Sequence, residues 1–227
     1  MEESQFFRIV WRFNALIILC AGILAIGVLL FAGYTIMSEF TRDIDTRSVV
    51  NVDEASEVEE AWSFGSMADI DGSPYLMIPF NSDQAYDQSF SRKASLSVRN
   101  YLFIHSETSE QHWLFDTDAY LISNNVHLSE KTMAMEQNDV QAILYQVIKT
   151  DTNGDQRLNY IDLQTIGVSL PNGEGYTEII SEIDLLIGHR LINNDTLLIL
   201  YQKNGTGYSL RVNLPDFTTI DETELMK

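Results

Sequence analysis

The stretch from residue 185 to 214, LLIGHRLINNDTLLILYQKNGTGYSLRVNL, decides the fold class of this chain. Its apolar runs at 185–192, 196–202 and 208–214 are separated by Asn-Asn-Asp and by Asn-Gly-Thr-Gly. Short runs of β-forming residues with tight-turn residues between them are typical of antiparallel hairpins. The sequence therefore predicts a three-stranded meander in this region.

The same pattern of strand-like runs and turn residues extends back to residue 61. Further runs are found at 62–64, 75–80, 97–105, 111–115, 140–149, 163–170 and 176–180. Stretches 81–95 and 123–139 are polar, and a short helix is predicted from Ser129 to Val140. We predict a mainly β domain over 61–227, built as an antiparallel meander or as partial propeller-like units.

The N-terminal region has a different character, since residues 14–37, NALIILCAGILAIGVLLFAGYTIM, contain 24 residues and no charge. A helix of that length measures about 36 Å, enough to cross a hydrocarbon core of about 30 Å. A cleaved signal peptide is the alternative, but its apolar region is only about 7 to 15 residues long. The sequence predicts a single transmembrane helix that acts as a signal anchor.

The charges around this segment predict its orientation. Arg8 and Arg12 precede it, whereas Arg42 and Arg47 follow it among acidic residues. Because short cytoplasmic tails carry an excess of basic residues, residues 1–13 are predicted to be cytoplasmic. Residues 38–60 then form an acidic connector, and the β domain is periplasmic or extracellular on a bacterial inner membrane.

Small residues of this segment share one helical face. Small side chains allow a second helix to approach closely, so we expect a partner transmembrane helix or membrane complex at this face. The alternative is that membrane helices are commonly rich in such residues. The residues of this face are Ala21, Ala25, Ala32, Gly22 and Gly33.

The charge balance excludes one class of partner. The chain has 14 Lys+Arg and 33 Asp+Glu, giving a formal net charge of -19. Residues 1–47 hold 4 basic and 5 acidic residues, so the remainder carries 10 - 28 = -18. A surface this acidic does not neutralise phosphates, which excludes a nucleic-acid binder.

One loop, residues 151–162, has the spacing of a metal site. Calcium takes six to eight oxygen ligands, and loop positions 1, 3, 5, 7, 9 and 12 place oxygens around one point. Leu158 follows position 7 and is expected to hold the loop against the domain. The predicted ligands are the side-chain oxygens of Asp151, Asn153, Asp155, Asn159 and Asp162 and the backbone carbonyl of Arg157.

This loop resembles EF-hand-like calcium loops, especially the dockerin type, in which Asp closes position 12. Gln156 stands where such loops keep glycine, and the flanking segments are predicted strands rather than helices. The resemblance therefore implies a metal loop but no helix-loop-helix domain. A structural Ca²⁺ ion is the expectation, and a metal-free acidic hairpin loop is the alternative.

Catalytic motifs are absent from the sequence: there is no Gly-x-Ser-x-Gly elbow, no phosphate-binding glycine loop and no His-Glu-x-x-His. The sequence predicts an accessory or adaptor subunit that binds a partner membrane protein. The alternatives are a calcium-sensing regulatory subunit and an anchored hydrolase or glycan-active domain. His105 and His112, which flank a predicted hairpin, are the candidates for that last activity.

Overall fold

The structure is a computed structural model that describes residues 5–41, 50–51, 60–85, 94–129, 139–192 and 195–225. The chain divides into two units, Met1–Asp45 and Thr46–Lys227. The first unit contains the helix α1 (Gln5–Thr41), which confirms a helix over residues 14–37. The second unit contains every strand of the described residues.

The membrane assignment of α1 is contradicted. Within the described part of the chain, no helix is both long enough and apolar enough to span a membrane. This finding contradicts three linked predictions. They are the signal anchor at 14–37, the cytoplasmic tail 1–13, and the inner-membrane location with a periplasmic C-terminal domain.

The second unit contains three larger antiparallel sheets, each made of strands that are close in sequence. The N-sheet has the order β2-β4-β5-β6, with β3 paired to β4. Its strands are β2 (Glu60–Phe64), β3 (Ala68–Asp69), β4 (Tyr75–Ala85), β5 (Ala94–His105) and β6 (Gln111–Trp113).

The middle sheet has the order β11-β10-β8-β7 and the C-sheet the order β12-β13-β14-β15. The middle sheet consists of β7 (Leu121–Ser129), β8 (Val140–Ile148), β10 (Gln164–Ser169) and β11 (Thr177–Ile183). The C-sheet consists of β12 (Leu185–Ile192), β13 (Thr196–Lys203), β14 (Thr206–Asn213) and β15 (Thr218–Glu224). Two short strands, β1 (Val50–Asn51) and β9 (Arg157–Leu158), pair with each other.

The middle sheet lies between the other two, as its central strand β8 shows. Ile143 and Tyr145 pack in one core cluster with residues of the N-sheet such as Phe103. Ala142 and Leu144 pack in a second cluster with residues of the C-sheet. Because successive side chains of a strand point to opposite faces, β8 contributes to both cores. The strands therefore stack in three layers, and among the described residues each end sheet packs against the middle sheet on one face.

The antiparallel β prediction is confirmed, with differences at particular strands. The meander at 185–214 is present, and a fourth strand, β15, extends it. Strand β7 occupies part of the stretch predicted to be polar, and β4 continues to Ala85. The helix predicted from Ser129 to Val140 falls largely on residues 130–138, which lie outside the described residues.

Candidate functional site

The closing residue of the 151–162 loop, Asp162, is the most buried of the predicted ligands, with 1% of its surface exposed. Its Oδ1 accepts hydrogen bonds from the N–H of Thr152 at 2.7 Å and of Asn153 at 3.3 Å. Its Oδ2 accepts one from the N–H of Asn159 at 3.0 Å. These backbone N–H groups replace the hydrogen bonds to water that the carboxylate loses when it is buried.

The first residue, Asp151, organises the other end of the loop. Its two carboxylate oxygens accept the N–H groups of Gly154 and Gln156, both at 2.7 Å. Gly154 and Gln156 have positive φ angles of 77° and 62°. Gln156 therefore adopts the left-handed conformation that glycine supplies at this position in EF-hand loops, at some cost in backbone strain.

The three remaining predicted side-chain ligands stabilise successive turns of the loop. Asn153 accepts the N–H of Asp155 at 2.8 Å, and Asp155 accepts the N–H of Arg157 at 3.0 Å. Asn159 donates from its amide to Asp155 at 3.2 Å. Its Oδ1 accepts the N–H of Ile161 at 2.9 Å. The three bonds from backbone N–H groups form Asx-type turns, which satisfy backbone donors within the loop.

Leu158 fixes the loop to the domain, as the sequence predicts. It is buried in a small cluster with Val50, Leu121 and Ile148. Its strand β9 pairs with β1, where Leu158 lies opposite Val50. Part of the predicted acidic connector 38–60 therefore belongs to the β domain.

The predicted calcium-binding character of this loop finds no support in the arrangement of its acidic side chains, because no group of three or more His, Cys, Asp or Glu side chains among the described residues is placed to hold a metal ion. The carboxylates of Asp151, Asp155 and Asp162 accept hydrogen bonds from the N–H groups of the loop itself. The resemblance to EF-hand-like loops and the ligand set stay predictions. Calcium as a cofactor stays a prediction from the sequence.

The small-residue face of α1 is described only in part. Ala21, Gly22 and Ala25 are exposed, and a Cβ added at Gly22 would meet nothing within 4 Å. The side chains at Ala32 and Gly33 lie outside the description. Their role in binding a partner helix stays a prediction.

His105 and His112 both pack against the ring of Tyr75, with ring centroids 5.0 and 5.9 Å from it. His112 also stacks on Phe103 at 5.5 Å. The Nδ1 atom of His105 accepts the backbone N–H of Glu107 at 3.2 Å. The two imidazoles thus contribute to the packing of the N-sheet and to the turn between β5 and β6.

The main feature missed by the sequence analysis is an aromatic cluster on the N-sheet, which we call the aromatic face: Trp62, Phe64, Phe80 and Trp113. Phe80 lies at the centre, with ring centroids 5.0 Å from Trp62, 5.2 Å from Phe64 and 5.3 Å from Trp113. Trp62 and Trp113 are each 42% exposed and Phe64 is 58% exposed. Such an exposed group of large rings is uncommon on a domain surface.

Strand alternation explains why these rings point away from the core. On β4, Met77 is buried against the middle sheet, and Phe80 is three residues further along on the opposite face. Phe64 lies directly opposite Phe80 in the β2–β4 pair. Trp113 likewise alternates with His112, whose ring stacks on the core residue Phe103. The N-sheet is therefore apolar on both faces, as a sheet inside a stack is, although it lies at the end of this one.

A buried arginine supports one end of the aromatic face. The Arg99 guanidinium lies 5.7 Å from the ring centroid of Trp62 and 3.4 Å from a carboxylate oxygen of Glu60. Its Nε donates to the carbonyl of Asp118 at 2.9 Å. Burial lowers the pKa of Arg99, while Glu60 and Asp118 oppose that change. These contacts hold the indole of Trp62 in place, so that the face is formed before any partner binds.

The chain matches no family model, and no curated protein matches it.

Proposed function

We propose that this chain is an accessory or adaptor subunit whose β domain binds a partner protein through the aromatic face. The observation that carries this proposal is the exposure of three large rings, Trp62, Phe64 and Trp113, packed around Phe80. Aromatic residues, tryptophan above all, are enriched among the residues that dominate protein–protein binding energy. Their apolar surface is unfavourable in water, and a partner removes it from water.

Rigidity favours the same conclusion. The rings are on paired strands and contact one another, and Arg99 stacks on Trp62. A preformed surface loses little side-chain entropy on binding, so more of the buried apolar area contributes to affinity. This is the arrangement expected of a binding surface rather than of an accidentally exposed core.

Affinity purification of the tagged full chain from its own host, followed by mass spectrometry, tests the proposal. Three versions are compared: the natural sequence, Phe64→Ser with Trp113→Ser, and the control Leu185→Ser. Leu185 is 51% exposed on the C-sheet and matches Phe64 in exposure. We expect one protein to accompany the natural chain and the control, to be lost from the double variant, and to bind again when both purified proteins are mixed.

Two results would overturn the proposal. The first is recovery of the natural chain alone. The second is a companion protein that the double variant retains at the same stoichiometry, with circular dichroism showing that the variant is folded.

A further inference from the structure

The surroundings of the aromatic face are strongly acidic. Residues 60–118 contain nine Asp or Glu residues and three Lys or Arg residues, so their formal sum is 3 - 9 = -6. Arg99 is 6% exposed and is engaged by Glu60 and Asp118, so its charge is not presented to solvent. The segment that forms the N-sheet is therefore acidic overall.

Two of the carboxylates lie on N-sheet strands and on the same face as the rings. Glu60 is two residues before Trp62 on β2, and Asp69 ends β3 opposite Leu76, which is four residues before Phe80 on β4. Asp69 is exposed. An apolar centre with a charged rim is the usual anatomy of a protein interface, in which the rim sets charge preference and the association rate.

Resting on the proposed function, we propose that the partner of the aromatic face is a protein segment with apolar side chains in the middle and Lys or Arg around them. Its apolar side chains contact Phe64, Phe80 and the two tryptophans. One of its cations faces the carboxylate of Asp69. The indole faces add a second attraction, because Trp rings bind guanidinium and ammonium groups through their π electrons.

A second copy of the chain is the less favoured occupant. Each copy has a formal net charge of -19, so two copies repel each other. The outer face of the C-sheet carries Arg190 and Arg211, but Arg211 is already paired with Asp221. Anionic lipid is disfavoured for the same electrostatic reason.

Isothermal titration calorimetry of the full chain with three synthetic peptides tests the proposed chemistry. The first is an 18-residue helix-forming peptide with Leu and Phe on one side and Lys on the other. The second replaces every Lys by Glu, and the third replaces every Leu and Phe by Ser. We expect the first peptide to bind at least tenfold more tightly than either of the others, and its affinity to fall when NaCl is raised from 50 to 300 mM.

Variants locate the binding. Phe64→Ser is expected to weaken the first peptide about tenfold, the usual range for a central interface residue. Asp69→Asn is expected to weaken it about two- to fivefold, as the loss of an exposed ion pair does. The matched controls, Leu185→Ser on the C-sheet and Glu224→Gln on β15, are expected to leave the affinity unchanged.

The outcomes separate the two proposals. Equal binding of the Lys and Glu peptides, with both weakened by Phe64→Ser, would overturn the basic rim while leaving the aromatic face as a binding surface. Equal loss in Phe64→Ser and Leu185→Ser, or no binding of the first peptide at millimolar concentration, would also overturn this inference. Concentration-dependent dimers that Phe64→Ser abolishes would assign the face to a second copy. Phe64-dependent binding to phosphatidylcholine vesicles would assign it to lipid.

Discussion

Asp162 shows how a single carboxylate organises a twelve-residue loop. It is buried and accepts backbone hydrogen bonds from Thr152, Asn153 and Asn159. The spacing of the loop residues was enough to predict that the carboxylate of Asp162 points into the loop. Spacing does not show whether its oxygens contact a metal ion or backbone N–H groups, because that depends on the φ angles at Gly154 and Gln156.

The change Asp162→Asn is predicted to destabilise the domain by about 2–3 kcal/mol, the value of hydrogen bonds to a buried charged group. The amide replaces one acceptor by a donor that faces other N–H groups. Asp155→Asn is the control: Asp155 is exposed, and we expect a loss below about 1 kcal/mol. Urea unfolding in chelating buffer measures both, and equal midpoints for the two variants would contradict the prediction.

Two buried tyrosines provide a second matched pair. The hydroxyl of Tyr176 is buried and has no hydrogen-bond partner among the described residues, whereas that of Tyr145 lies 3.0 Å from the hydroxyl of Ser169. An unpartnered buried hydroxyl costs free energy, and a paired one contributes about 1 kcal/mol. Tyr176→Phe is therefore predicted to leave the free energy of unfolding equal or higher, and Tyr145→Phe to lower it by about 1 kcal/mol. Chemical denaturation distinguishes them, and a larger loss in Tyr176→Phe would refute this assignment.

At the scale of elements, the strands recovered from the sequence are those bounded by turn residues and alternating in polarity. The C-sheet meander meets both conditions, because Asn-Gly turns and apolar runs alternate at 185–214. Strand β15 was missed because Thr218–Glu224 is acidic and almost wholly exposed. Strand β7 was missed because Asn124 and Asn125, which ordinarily indicate a turn, lie in its middle.

The aromatic face was not predictable in the same way. The runs at 62–64, 75–80 and 111–115 were identified as strands, and their rings were compatible with a core. Whether a ring is covered depends on where its sheet lies in the stack, which is a tertiary property. One sequence signal was available: the N-sheet strands are apolar at successive positions, as in a sheet buried on both faces.

The turn between β10 and β11 connects two layers, because Gly173 contacts the ring of Phe103 in the N-sheet. Gly173 has a φ angle of 85°, and an added Cβ would overlap that ring. Gly173→Ala is predicted to cost more than about 2 kcal/mol, from backbone strain and displacement of a buried ring. Gly205→Ala is the control: its φ is 76° but a Cβ there meets nothing within 4 Å, so only the backbone cost of about 1 kcal/mol applies. Thermal unfolding compares them, and equal melting temperatures would contradict the predicted overlap.

At the scale of the whole domain, each of the two end sheets of the stack has an outer face, and these two faces differ in the residues that they carry. The outer face of the C-sheet includes Leu198 and Leu200 but also two arginines, which suits exposure to water. The outer face of the N-sheet has its rings exposed and carboxylates around them. The same architecture thus presents one mixed end and one apolar end, and the apolar end is the natural place for a partner to extend the stack.

The stability of the interface between the N-sheet and the middle sheet depends on pH through its buried tyrosines. Burial raises the pKa of Tyr101 from 10 to about 12, although the hydrogen bond from Asn125 opposes the change. Burial also raises the pKa of Tyr145 and Tyr176. A raised pKa in the folded state means that stability is complete below pH 10, where the unfolded chain is still protonated, and falls as the pH rises towards 12.

Tyr101 alone is predicted to account for about 2–3 kcal/mol of this loss, since each pKa unit corresponds to about 1.4 kcal/mol. Urea unfolding at pH 8, 10, 11 and 12 measures the dependence. In Tyr101→Phe the slope between pH 10 and 12 is expected to be shallower by about one proton, even though the variant is less stable at pH 8 because Asn125 loses its acceptor. A slope identical to that of the natural chain would show that Tyr101 is not held protonated by burial between the sheets.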